Sequence, residues 1–90
     1  MVLNHLAKDR QCQVRIPGIC NGDHATTVLA HYSLAGLSGK GIKSPDLIGA
    51  WCCSSCHDYA DGRKQSANFT RDQVRLMHAE GVFRTQYALI

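Results

Sequence analysis

Five cysteines in a chain of 90 residues limit what this sequence can fold into more than any other feature. A chain this short makes one domain, residues 1–90, and buries too little surface to offset its chain entropy with ease. Two Phe, one Trp and three Tyr are all the aromatic residues it has, so the core will be thin. Small domains of this kind usually hold a metal, disulfides or a second subunit. Charged Lys8, Asp9 and Arg10 stand within the first ten residues, which lack a long apolar run. Neither an export signal nor a membrane span is therefore expected. The expected compartment is the reducing cytoplasm, where cysteines bind metal more often than they pair. An odd number of cysteines also suits four ligands and one spare.

The spacing sharpens this. Cys53-x-x-Cys56 has the separation of a zinc knuckle, which delivers two thiolates from one tight turn. Cys12 and Cys20 are further apart, but Pro17-Gly18 between them folds the segment back. Together the pairs predict one structural zinc held by Cys12, Cys20, Cys53 and Cys56, with Cys52 as a buried spare. Two rival readings are weaker. Cys53-Ser-Ser-Cys56-His57 spells a c-type haem attachment string, but that chemistry needs export and leaves Cys12 and Cys20 without a role. A thioredoxin-like redox pair would need a βαβ pattern, which is not found around Cys53.

The remaining pattern is read as follows. Residues 2–10 form a short helix with Leu3, Leu6 and Ala7 on one face. Gln13–Ile16 alternates polar and apolar and forms a short strand. Thr26–Tyr32 is β-branched and apolar, a strand ending near His31. Residues 33–46, with Gly36, Gly39, Gly41 and Pro45, form a long loop that carries Lys40 and Lys43. Leu47–Cys52 is an apolar run, with Trp51 in the core. Ser54-Ser55 caps a helix that stops at Gly62. Thr70 and Gln73 fit a capping box that starts a helix running towards Gly81, with a last turn or helix over 83–89. The middle of the chain thus reads as a hairpin followed by a helix. The fold class is α+β.

A formal charge of +3 permits contact with nucleic acid without requiring it. The motifs say more. Cys-x-Val-Arg-Ile-Pro-Gly-Ile-Cys over 12–20, Leu-Ala-His-Tyr over 29–32 and Pro-Asp-x-Ile-Gly-Ala-Trp over 45–51 are the first three. Cys-Ser-Ser-Cys-His-Asp over 53–58 and Arg-Leu-Met-His-Ala-Glu-Gly-Val-Phe-Arg-Thr-Gln over 75–86 complete the set. With these motifs the chain resembles the YbcO-like nucleases of lambdoid phages and prophages, a branch of the HNH endonucleases.

That resemblance implies a zinc-stapled HNH ββα-metal fold with flanking helices, acting as a metal-dependent DNA endonuclease in a bacterial host cell. His31 falls on the histidine that ends the first strand and acts as general base on the attacking water. His57 falls on the last histidine of the motif, a ligand of the catalytic ion. Asp61, one helical turn further on, can share that ion, and Asp58 is a further candidate. Mg²⁺ or Mn²⁺ suits such a ligand set.

The chain departs from the HNH pattern twice. Ala30 stands where many such enzymes have a metal-binding acid, and Asp46 is the nearest polar residue to the missing middle Asn. Asp58, Asp61 or His78 would then make up the metal shell, although His78 reads first as a packing residue on the last helix. Arg15, Lys40, Lys43 and Arg63 are the expected phosphate contacts. So small a nuclease has little surface for base readout, so low specificity or a homodimer is expected. The alternative is a zinc-bound nucleic-acid- or protein-binding module that keeps the scaffold without the chemistry.

Overall fold

The structure is a computed structural model that describes residues 7–34, 36 and 45–89. Two short strands, β1 (Val28–His31) and β2 (Gly49–Cys52), pair antiparallel. Helices α1 (Ser54–Ala60) and α2 (Arg71–Leu89) follow. The architecture is α+β, as the sequence predicts, with one two-stranded sheet among the described residues.

The register sets Leu29 opposite Trp51, Ala30 opposite Ala50 and His31 opposite Gly49. All four β2 residues are buried, because α2 lies across this strand. Two apolar clusters result. Val14, Ile16, Ala30, Ala50, Val74 and Val82 pack around the cysteines, while Ala7, Leu29 and Trp51 form a smaller group. Burying a side chain such as Ile16 contributes about 1.5–3 kcal/mol, so a handful of these cannot carry the fold alone.

Three expectations need correction. Gln13–Ile16 is a turn and not a strand, so the partner of β1 is the apolar run before Cys53. The turn forms because the Arg15 N–H points at Cys12 Sγ, 3.5 Å away, which requires the left-handed φ of 54° at Arg15. One link to the sheet survives, the Gln13 N–H donated to the Trp51 carbonyl at 2.7 Å. Second, Cys53 and not Ser54 caps α1, its sulfur accepting from the Cys56 N–H. Ser54 and Ser55 instead accept from Asn21 Nδ2, which ties the 21–23 turn to α1. The predicted stop holds, with Gly62 in a left-handed conformation at φ 81°.

Third, the last two predicted pieces are one helix. Thr70 and Gln73 form the expected capping box, each backbone N–H donated to the other's side chain, at 2.8 and 3.1 Å. Val74, His78, Gly81, Val82 and Thr85 then share the buried face. Gly81 does not end α2 because its role is contact. A Cβ there would meet Val14 Cγ2 at 2.8 Å and Gln13 O at 3.1 Å, so only glycine lets the Cys12 turn lie against the helix. Thr85 Oγ1 donates to the Gly81 carbonyl and accepts from the Trp51 N–H, fixing α2 to β2. Of the predicted first helix, residues 2–6 lie outside the described residues. Residues 7–10 form one turn, closed by the Arg10 N–H on Ala7 O.

Candidate functional site

Two adjacent clusters of donor groups grow from the strand-and-helix frame. The first is sulfur. Cys53 follows β2 as the cap of α1 and Cys56 lies in the first turn of that helix, so both side chains are set by the strand-to-helix junction. The Cys12 turn reaches them because Gly81 allows it to pack against α2. Cys20 arrives through the 16–20 turn, in which the Ile16 carbonyl accepts from both Ile19 and Cys20. The ligand atoms of Cys12, Cys20, Cys53 and Cys56 all lie within 4.8 Å of one another.

That arrangement fits zinc. A tetrahedral ion with zinc–sulfur bonds of about 2.3 Å requires sulfurs about 3.8 Å apart. Cys20 and Cys53 stand at 3.9 Å. The Arg15 N–H on Cys12 Sγ and the Cys56 N–H on Cys53 Sγ add backbone donors that stabilise thiolate. The electrostatics agree. Sulfur hydrogen bonds, from Cys52 first and Cys56 second, pull the Cys12 thiol far down. The contact with Cys12 pushes Cys56 up, and burial raises Cys20. Without a cation the cluster tolerates little negative charge, whereas a divalent ion allows all four to ionise. Cys52 is driven far up, above all by its bond to Cys12, and stays a thiol. The quartet can hold a metal such as zinc, and Cys52 stands beside it as a donor.

The second cluster is imidazole and carboxylate. His31 ends β1, and its Nε2 lies 2.8 Å from Asp46 Oδ1. Asp46 reaches it because the 46–48 turn folds tightly onto β2 at Gly49, the register partner of His31. A Cβ on Gly49 would strike Leu29 Cγ at 2.8 Å and Asp46 O at 3.0 Å, so the close turn needs that glycine. An ionised carboxylate only accepts, so a hydrogen bond to ionised Asp46 uses the Nε2–H of His31 and leaves Nδ1 as the ring nitrogen turned to other partners. His57 and Asp61, one turn apart on α1 and at its end, form the other pair, Nε2 to Oδ2 at 3.2 Å. All four side chains are about one-third exposed or less.

His78 stands between the pairs. It is buried, and its Nε2–H donates to the Ala30 carbonyl at 2.9 Å, one residue before His31. Tyr32 meets its ring edge-on at 5.1 Å. Burial holds His78 below the ordinary histidine range, and Asp61 and His57 lie close enough to act on it electrostatically. The expectation that His78 packs is borne out by this placement.

Other expected contacts are spent locally. Asp58 pairs with Lys64 at 3.8 Å, and Arg63 Nε sits 3.4 Å from the same Asp61 oxygen that His57 meets. The Arg15 guanidinium donates to Cys12 O and Gln13 Oε1. Lys40 and Lys43 lie outside the described residues. Asp46 is the residue that sequence reasoning undervalued. Its signal was the Pro-Asp-x-Ile-Gly run, in which Pro and Gly bracket a turn that can carry an acid to a strand end.

Fold and site together define a class, a small α+β module in which a tetracysteine cluster adjoins two histidine–aspartate pairs. The family model "Putative nuclease YbcO" matches residues 1–90, and the chain belongs to that family. Two relatives carry the same description, one from Escherichia coli strain K12 and one from Enterobacteria phage 82. Each is 48% identical over 86 residues, covering 93% of this chain and 85% of its own length. A solved structure, described as a putative bacteriophage protein from Escherichia coli K-12, is similar at a TM-score of 0.74 and 40% identity. That match covers 92% of this chain and 89% of the other. Among the described residues no helix is long and apolar enough to cross a membrane.

Proposed function

We propose that this chain is a metal-dependent DNA endonuclease of HNH type, in which residues 1–90 act as one unit and the sulfur cluster is its structural staple. The observation that carries the reading is the His31–Asp46 pair at the end of β1, on the same frame as His57. It accords with the nuclease description of the relatives. Asp46 holds the His31 ring through Nε2–H, so Nδ1 is the nitrogen that takes a proton from water attacking the phosphorus. Orientation by a carboxylate also stabilises the imidazolium formed as the proton arrives.

His57 and Asp61 would hold the catalytic divalent ion. Adjacent positions of an octahedral Mg²⁺ or Mn²⁺ shell, with bonds of about 2.1 Å, are about 3.0 Å apart. The 3.2 Å between Nε2 and Oδ2 is close to that separation. When bound, such an ion supplies charge stabilisation at the scissile phosphate and the leaving oxygen. Arg63, already at Asp61, would meet a phosphate drawn to that ion, and Asp58 is the weaker ligand candidate because its ion pair is with Lys64 and not with a histidine.

One observation favours a second reading, a zinc-bound binding module without chemistry. Ala30 is buried and brings no carboxylate beside His31, and its carbonyl is occupied by His78. A plasmid-nicking assay with Mg²⁺, Mn²⁺ or Ni²⁺ separates the two. The nuclease reading expects nicking by wild type and its loss in His31→Ala. Equal behaviour of the two proteins under every ion would leave only the binding module.

A further inference from the structure

Resting on the nuclease reading, which it deepens by naming a substrate class, we propose that Phe83 and Tyr87, with Arg84 and Arg15, form a stacking ledge for single-stranded nucleic acid. The two rings stand one turn apart on the outer face of α2, 68% and 79% exposed. A chain with only six aromatic side chains and a thin core places two of them in solvent. Packing does not explain that choice, since the buried face of α2 is made by Val74, His78, Gly81, Val82 and Thr85.

The rings do not stand alone. Gln13, Arg15, Phe83, Arg84, Tyr87 and Ala88 line one shallow groove. Both guanidiniums in it are held by neutral groups. Arg84 donates to Gln13 O and Val14 O, and Arg15 to Cys12 O and Gln13 Oε1. Neither makes an ion pair with a carboxylate among the described residues, which leaves both guanidiniums able to meet a phosphate beside the rings. The turn that fixes both is the one that carries Cys12, so the metal staple also sets the arginines in place.

This pairing of chemistries selects the occupant. Exposed aromatic faces with arginines alongside bind successive bases and their phosphates, whatever the base sequence. A duplex hides its base faces and cannot use the rings. A second copy of the chain is disfavoured, because a two-fold pairing through this groove sets Arg15 and Arg84 against their own counterparts. The groove also has a direction. Phe83 is shared with a neighbouring apolar groove lined by Tyr32, Leu34, Ile48, Ala79, Val82 and Gln86. Two of its lining residues, Tyr32 and Ile48, are joined by a backbone hydrogen bond and adjoin His31 and the Asp46 turn. A strand stacked on Tyr87 and Phe83 is thereby led towards His31, which suits a junction or flap substrate with one unpaired arm.

The test uses the zinc-loaded full chain and fluorescein-labelled oligothymidylate, read by anisotropy. Phe83→Ala/Tyr87→Ala changes only exposed side chains, and its zinc content and circular dichroism should match wild type. The double variant should bind the strand at least about tenfold more weakly. An abasic strand of equal length should bind wild type and the variant equally weakly. Equal affinity of wild type and variant for the thymidylate strand overturns the proposal. So does conversion of a wild-type dimer to monomer in the variant with strand binding unchanged, which would make the ledge a self-interface. His31→Ala keeps the two ideas apart. It should retain strand binding, so a wild type that binds through the ledge yet cuts nothing sinks the nuclease reading alone.

Discussion

At the start of α1, four sulfurs crowd within 4.8 Å, three of them on buried residues. One residue beyond Cys56, His57 leaves that largely buried sulfur cluster for a nitrogen–oxygen pair with Asp61 that is about one-third exposed, and His31 with Asp46 repeats the pattern at the end of β1. On the function proposed above, the difference follows from what each set of donors would do. Soft thiolates in a closed tetrahedron hold an ion that has no free position, which contributes folding free energy. Mixed nitrogen and oxygen donors with water access leave positions open for a phosphate and a nucleophile. Closure gives stability, openness gives chemistry. The nine-residue reach from Cys12 to Cys20 and the four-residue knuckle belong to the first set, and the end of β1 with helix α1 to the second.

This contrast breaks most visibly at the sulfur. Cys53→Ser should lose zinc and unfold, since structural zinc supplies roughly 10–16 kcal/mol in comparable small domains. Circular dichroism with metal analysis checks it, and a folded zinc-free variant would remove the staple from the account. At the other cluster the opposite is expected. His31→Ala should keep its zinc and its melting temperature while nicking falls by about 10²–10⁴-fold. Asp46→Asn should fall less, on the order of tenfold to a hundredfold, with metal content again unchanged, because the ring is mispositioned and not removed.

Two smaller tests probe the joints between the clusters. Gly81→Ala adds a methyl against Val14 and Gln13. Despite alanine's higher helix propensity it should destabilise the chain by about 1–3 kcal/mol, seen in denaturant titration at saturating zinc. A gain in stability would mean that the Cys12 turn does not press on α2. The smallest effect concerns His78, which burial holds neutral in the fold. The unfolded chain takes up its proton as pH falls through about 6.5 while the folded chain does not, so stability is present above that pH and declines below it. His78→Gln keeps a donor for the Ala30 carbonyl and should flatten that decline by at most one proton, about 1.4 kcal/mol per pH unit. An unchanged slope would place the acid sensitivity in the thiolates.

Much of this was legible in the chain. The spacing within each cysteine pair, the Thr70–Gln73 box, the Gly62 stop and the His57–Asp61 spacing are local, and local spacing fixes local geometry, whereas the meeting of the two cysteine pairs depends on the tertiary fold. The misreadings at 13–16 and at Gly81 share one cause. Each looks regular alone, as an alternating strand and as a helix-ending glycine, yet each is governed by the other through a contact across 67 positions. Asp46 was underweighted for the same reason. Nothing adjacent in sequence says that its carboxylate meets His31, and only the 49-to-31 register, with Gly49 clearing the way, brings them together. The exposed setting of Phe83 and Tyr87 was likewise invisible, because which face of α2 is buried depends on where the Cys12 turn lands. The sequence alone determined which atoms are available to bind a metal and how each pair is spaced. The tertiary structure decided which distant groups face one another, because packing against a thin core overrides local preference wherever a backbone must pass close to another.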